Sequence, residues 1–493
     1  MSDSKQDGSI IVTEVKEDGD VVELYMPKGQ RVVEDTTDAV DAVFGALDES
    51  TQSYRSVTSF GAFALITKAN IGLGVLSIPL VFHVIGIVPG VILIIFMGSI
   101  VGSTMIGSVK LKHPEVYGIA DAAYVFGGRW AKEAWYLFFW LYCLVAVSGS
   151  LVSLSAALNA VSSHAACTAV WIGVIAVAGL ALGFIPTLSR VSWIGWVGLV
   201  FLISALLTLT ISVGVQPRPA DAPRPPAAWD RDIRVVGHPN FGEAMWAISS
   251  VSVRSVHGPS HRAGVIRIRI FASVLTDPSF NVVSEMRDPR AYTRVLIASI
   301  SITTVLYLVL GGVVCAFCGQ YISSPALGSA GPLMKKVCYG LAIPALGATL
   351  TIFVHLGGKH IFVRVLSGSH HLTHSTKTHW IVWSACVFSS AFLGYIIASA
   401  IPDFGSFVGL FGALVNPAVA IVPYGAMWWH DNWRPVKPEQ RTLKLWALLA
   451  LNIFITFTGL FITVAGTYGA VIDLIKSSAS GGPWSCKDNS GGS

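Results

Sequence analysis

The residues of this sequence best suited to chemistry lie together in the stretch KANIGLGVLSIP, Lys68 to Pro79. A small zwitterion needs donors for its carboxylate and acceptors for its ammonium. Gly72 and Gly74 weaken a helix and free main-chain N–H and C=O groups that must find new partners. With Leu73 between them, those N–H groups suit a carboxylate at a half-helix N-terminus. Asn70 can donate or accept, and Ser77 lies one turn beyond Gly74, able to face the same space. The surrounding run, residues 60–85, is apolar and long enough to cross a bilayer. A membrane helix broken at mid-depth binds small polar solutes, so this span reads as part of a transporter. Glycines that only permit close helix packing are the plainer alternative.

Three ionisable residues fall inside or at the edge of apolar runs: Lys68, Glu285 and His355. Charges at membrane depth are costly and mark ion or proton paths. Lys68 is placed to couple to a proton, or to snorkel to the near face. Glu285 is its expected partner. His355 titrates near neutral pH and could relay a proton, or simply complement a helix C-terminus. Tyr142, with Tyr136 and Trp140 nearby, could line a pocket for an apolar side chain. Trp428, Trp429, Trp433 and Trp446 read as an interfacial belt.

These residues need membrane helices to position them, and the composition supplies them. Of 493 residues, 53% are hydrophobic and only 12% charged, about half the charge of a soluble protein. Apolar runs recur near 60–85, 86–108, 133–160, 168–186, 191–215, 241–286, 294–318, 337–362, 379–401, 403–428 and 445–471. The fold class is therefore all-α membrane protein with about eleven transmembrane helices. Basic residues such as Lys110, Arg129, Arg287, Lys359, Arg364 and Arg434 fall in alternate loops, which puts the N-terminus in the cytosol and the C-terminus outside. Residues 1–55 are polar, acidic-rich and without the core of a signal peptide; they read as a disordered cytosolic tail. Residues 56–475 form the transmembrane domain and 476–493 a short external tail. The Pro-rich VQPRPADAPRPPAAWD divides the spans five and five with one left over, as an inverted repeat with broken first and sixth helices requires.

At this point the motifs resemble a known family. KANIGLGVLSIP followed by GIVPGVI, then HPEVYGIADAAYVFGG, SEMRDPRAYTR and VHLGGKHIFVRVL, are similar to the fungal branch of the amino acid/auxin permease family. The resemblance runs from about Ser56 to Trp484 and is nearest the neutral amino acid permeases of filamentous fungi, of the methyltryptophan-resistance type. It implies the 5+5 inverted-repeat fold of the amino acid–polyamine–cation superfamily with an eleventh span. It also implies proton-coupled symport of neutral aliphatic and aromatic amino acids. It puts the substrate carboxylate at the first break, and the second half of the site at the sixth span, bordered here by Ser249, Ser250 and Phe280. Sodium-coupled relatives of this fold hold a cation where Lys68 falls, so that protonation of Lys68 replaces the ion.

The sixth span departs from that pattern. Between Ser250 and Pro278 the chain carries Arg254, Arg262, Arg267 and Arg269 with His257 and His261. Each charge at mid-helix costs about 2.5–3.5 kcal/mol on insertion scales. We read residues 251–277 as a gene-model error, with a genuine looped insertion as the alternative.

The cysteines carry one expectation. Cys167 and Cys486 both lie on the oxidising outer side and are expected to form a disulfide, with Cys338 as the rival partner. Cys315 and Cys318 form a CxxC at the end of an apolar run; the further ligands a metal would need are absent, so they read as packing residues. No nucleophile–base pattern points to an enzyme. The expected partners are a neutral amino acid and the lipid bilayer, with no nucleic acid and no cofactor beyond a coupling proton; sodium stays open as the ion. The plasma membrane is expected, with the vacuolar membrane as alternative. The rival functions are an amino acid sensor or regulator on a transporter fold and a vacuolar exporter. Oligomeric state is unknown at this level.

Overall fold

The structure, a computed structural model, describes residues 9–15, 21–27, 57–71, 73–101, 113, 116, 118–185, 188–223, 228–252, 282–372, 374–401, 403–477 and 483–490. The chain divides into Met1–Ser50 and Thr51–Ser493. Within the first unit, β1 (Ser9–Val15) pairs antiparallel with β2 (Val21–Pro27), Ser9 opposite Pro27 and Val15 opposite Val21. The tail expected to be disordered thus contains a hairpin. Most of the suspect segment 251–277 lies outside the described residues.

The second unit is helical. Among the described residues, eight helices are long and apolar enough to cross a membrane. Three shorter ones, Ile87–Val101, Thr168–Gly183 and Phe241–Ser252, occupy the second, fourth and sixth places. This unit is an all-α membrane domain on the 5+5 inverted-repeat plan with an eleventh span. The first span is broken. Its opening helix, Ser59–Asn70, is started by the Thr58 side chain, which accepts from Gly61 N at 3.1 Å. A short 3-10 turn, Leu73–Ser77, follows the break, and Ile78–Ile85 resumes with Pro79 in its first turn, where a missing N–H costs nothing. Gly86, at φ 94°, ends this helix. A side chain there would meet Gly237 N at 2.5 Å, so only glycine lets the 228–237 linker lie against the start of the second span. In that exposed linker the Arg234 guanidinium hydrogen-bonds Asp232 and holds its carboxyl below the usual carboxylate range.

Two groups of helices pack mainly among themselves. The third (Ile119–Ser162, bent at Gly128), fourth, eighth (Pro332–Val365) and ninth (Lys377–Ala400) spans each touch the other three. Glycine makes this contact close. A Cβ on Gly183 would lie 2.5 Å from Val354, and one on Gly394 2.5 Å from Val147. In a membrane, where apolar surface gains little from leaving lipid, such backbone approach is a main source of helix affinity. The broken first span packs on the seventh (Tyr292–Cys318) and on the fifth (Leu188–Val215), which also packs on the eighth, and its second half meets Phe241–Ser252. The belt expectation needs two corrections: Trp428 is 1% exposed and Trp433 8%. The helix Val422–Trp428 is packed into the protein, while Trp429 and Trp446 remain exposed.

Candidate functional site

The break in the first span sits beside a cavity of about 70 Å³. Ala69 forms its first-span wall, Tyr142, Val145 and Ala146 its third-span wall, and Thr349 and Phe353 its eighth-span wall. The tenth span closes it with Phe407, Val408, Phe411, Gly412, Val415 and Asn416. Among the described residues the lining carries no charged side chain. The rings of Tyr142 and Phe353 meet edge to face, with centroids 5.9 Å apart, the arrangement that ring quadrupoles favour. Phe407 and Phe411 lie one turn apart at 4.7 Å. The tenth-span helix is started by Asp403, whose side chain accepts from Ser406 N at 2.8 Å. Asp403 is thus an end-cap rather than part of the cavity wall.

Lys68 lies behind this wall. It is 1% exposed, and its ammonium donates to Thr349 Oγ1 at 2.7 Å and to Ile71 O at 3.4 Å. A charged ammonium has three donors, and among the described residues no carboxylate comes within ion-pair distance of this one. The stem is accommodated by Gly198 of the fifth span (Leu188–Val215): a Cβ there would sit 3.2 Å from Lys68 Cε and 2.4 Å from Ala348 Cβ. Lys68 does not snorkel to a surface. It joins the Ile71 carbonyl at the break to Thr349, a residue that also lines the cavity.

Asn70 faces the seventh span instead. Its side-chain amide donates to Ser299 Oγ at 3.4 Å, Thr67 Oγ1 donates to the same hydroxyl at 2.8 Å, and Tyr307 OH donates to Asn70 O at 2.6 Å. These bonds satisfy one of the carbonyls that a helix end leaves unpartnered. Ser77 is buried in the turn after the break and is not part of the cavity lining. Leu73 and Gly74 open that turn. Gly72 and Phe280 lie outside the described residues, and Ser249 and Ser250 fall in the last turn of Phe241–Ser252.

The expected Lys68–Glu285 pairing is corrected by the geometry. Glu285 is bound by Lys359 of the eighth span, Oε1 to Nζ 2.5 Å, with both side chains 2% exposed. Lys359 had read as a loop charge; it is buried one turn beyond His355. The same joint is fastened by main chain. Val57 N donates to Glu285 O and Arg287 N to Val57 O, each at 3.0 Å, a parallel bridge between the lead-in to the first span and the end of the sixth. His355 is fully buried against the end of the fourth span: Nδ1 lies 2.8 Å from Ile185 O, to which it donates, and the ring meets Trp383 edge-on. His355 is therefore placed away from Lys68 and the cavity, and complements no exposed helix end. At the opposite end of the eighth span, Cys167 and Cys486 are joined in a disulfide; Cys338, Cys315 and Cys318 are free and buried.

Thr349, Phe353, Phe407, Phe411 and Lys359 carry this site and were not singled out from the sequence. A hydropathy window treats the phenylalanines as lipid-facing. A usable signal was the run of small and polar residues Gly347, Thr349 and Thr351 within an apolar helix.

A broken first span, two helix groups and a cavity beside the break are the features of a secondary transporter fold. A Na+-coupled sialic acid symporter in a substrate-bound outward-open state has this fold: TM-score 0.50 at 13% identity, covering 88% of this chain and 93% of that one. The sequence matches the family described as Transmembrane amino acid transporter protein over residues 55–227 and 256–472. The chain belongs to that family, and is a multi-pass membrane protein of amino acid transport. It is 30% identical to a transmembrane transporter of Gibberella moniliformis over 89% of both chains. It is 28% identical to one of Fusarium pseudograminearum over 96% of this chain and 94% of that protein. It is also 28% identical to the N amino acid transport system protein of Neurospora crassa, over 83% of each.

Proposed function

We propose that the protein carries neutral amino acids, aliphatic and aromatic, by proton-coupled symport and alternating access, across the plasma membrane with its N-terminus in the cytosol. The observation that carries this reading is the cavity beside the first-span break. Its wall is apolar and aromatic, bears no charge to pair with an acidic or basic side chain, and reaches Lys68 through Thr349.

In this reading main-chain N–H groups at Gly72 to Gly74 hold the substrate carboxylate, and Tyr142, Phe353, Phe407 and Phe411 receive its side chain. Tyr142 lines the cavity, whereas Asn70 supports the break from behind. Lys68 serves the proton. Protonated, it donates to Thr349 Oγ1 and Ile71 O, tying the break to the cavity wall; Thr349 then directs its own proton to Ala345 O, 3.2 Å away. Neutral, Lys68 loses the charge that strengthens both bonds and gains a lone pair that can accept from Thr349, so the hold weakens and the break is freer to shift. Glu285 and Lys359 close the cytosolic side and are separate from the proton step, as is His355. Sodium has no part in this scheme.

The test is uptake of labelled leucine and phenylalanine by cells expressing the chain encoded by the mature transcript, with and without an inward proton gradient. Gradient-dependent uptake, suppressed by neutral but not by charged amino acids, supports the proposal. Uptake indifferent to the gradient, or preference for lysine or glutamate, refutes it. Lys68→Met is expected to abolish the gradient response.

A further inference from the structure

The segment after the eleventh span has no role in the scheme above, yet residues 483–490 are built into the outer face. Trp484 N donates to Ser399 O of the ninth span at 2.8 Å. Cys486 is bonded to Cys167, ahead of the fourth span. Thr168 Oγ1, in the first turn of that span, donates to Lys487 O at 2.6 Å. Asn489 takes a hydrogen bond from Asn159 Nδ2 at 3.0 Å and gives one to Ser155 Oγ at 3.0 Å, both on the third span. Tyr339 OH, on the eighth, donates to Ser490 O at 2.8 Å.

The partners are buried polar groups: Ser155, Asn159, Thr168 and Ser399 are 0% exposed, Tyr339 1%, and Ser490 itself 1%. Groups of this kind are costly when left unpaired. The segment is therefore an integral filler of the outer ends of these helices rather than a trailing end. Its contacts fall on the third, fourth, eighth and ninth spans, the helices that also pack on one another, and join them from above.

We propose that residues 483–490 are an external clamp, a covalently anchored strap that holds these four spans together as one rigid body. The mechanical role rests on the alternating-access reading; the clamping itself does not. Alternating access needs one body to keep its shape while another tilts. The third and eighth spans supply much of the cavity wall, so play between them would blur the site in each cycle.

The test compares the full chain in lipid nanodiscs with Cys486→Ser/Asn489→Ala by amide hydrogen exchange. Exchange is expected to rise about tenfold at residues 155–168, 335–342 and 396–401, a loss of roughly 1.4 kcal/mol of local protection. Residues 59–71 and 292–318 are expected to stay unchanged. In cells the maximal uptake rate falls at least threefold while KM stays within twofold. If the double variant does not reach the membrane, Tyr339→Phe, and the purified parent treated with a phosphine reductant, give the same exchange comparison. Unchanged exchange at the strap's partners, or loosening spread evenly over both helix groups, overturns the clamp. Local loosening in a parent that transports nothing upholds the clamp and instead refutes the transport reading.

Discussion

Replacing Lys359 by methionine is the sharpest perturbation available. It keeps most of the stem volume and removes the ammonium 2.5 Å from Glu285 Oε1, at a joint where both side chains are 2% exposed. Removing one member of such a pair strands the other charge in a medium that solvates it poorly. Precedent puts the loss at about 3–5 kcal/mol. Glu285→Gln should cost a similar amount, leaving the ammonium. The double variant removes both charges, so its loss is expected to be smaller than that of either single change, roughly 1–2 kcal/mol, since the two neutral groups pack where the ions did. Equilibrium unfolding of purified protein in a mild detergent reads all three values, and uptake provides a second readout. With every 1.4 kcal/mol worth about tenfold in an equilibrium constant, the single variants shift the folded-to-unfolded ratio by about two decades or more. Strictly additive losses refute the reasoning: the charges would then be held by other groups or by water, and their short separation would carry no coupling.

Three further outcomes follow from the same coordinates. Gly198→Ala puts a methyl 2.4 Å from Ala348 Cβ; overpacking of this kind costs about 1–3 kcal/mol, and thermal unfolding should show it together with a weakened proton dependence of uptake as Lys68 is pushed from Thr349. Unchanged stability and coupling would mean the fifth and eighth spans part easily. Gly72→Val and Gly74→Val are expected to abolish uptake with surface expression intact, and normal kinetics in both variants would end the carboxylate assignment. Sequencing of the mature transcript is expected to return a different, apolar and glycine-containing stretch at residues 251–277; this stretch read in frame, with robust uptake by the chain as written, would refute that, and the family match resuming at residue 256 makes the measurement pressing.

Much of the frame was legible because membrane physics is written in composition. Eleven apolar runs and the glycine-rich break each follow from a rule that needs no neighbours. The site was less legible, because its members are chosen by neighbours. Asn70 looked like a substrate ligand, and which face of a helix meets the cavity depends on a seventh span that local sequence does not report. Lys359 lies where an apolar run gives way to VRVLSGSHH, so charge counting placed it in a loop; only Glu285, 74 residues away, shows that it belongs inside. Phe353 and Phe411 are indistinguishable by hydropathy from the phenylalanines that face lipid.

The main-chain bridge at Val57 has a consequence of its own. Because its donors and acceptors are peptide groups, no side-chain replacement except proline, which lacks the N–H, erases it. An insertion between Val57 and Thr58 would disturb its register. Its strength is also bounded. Two peptide hydrogen bonds contribute a net ~1–3 kcal/mol, which is an equilibrium constant between roughly five and 150. Left to itself, such a fastening is open for a percent to a fifth of the time, roughly. It acts as a detent, holding a resting position that a solute's binding free energy can readily override.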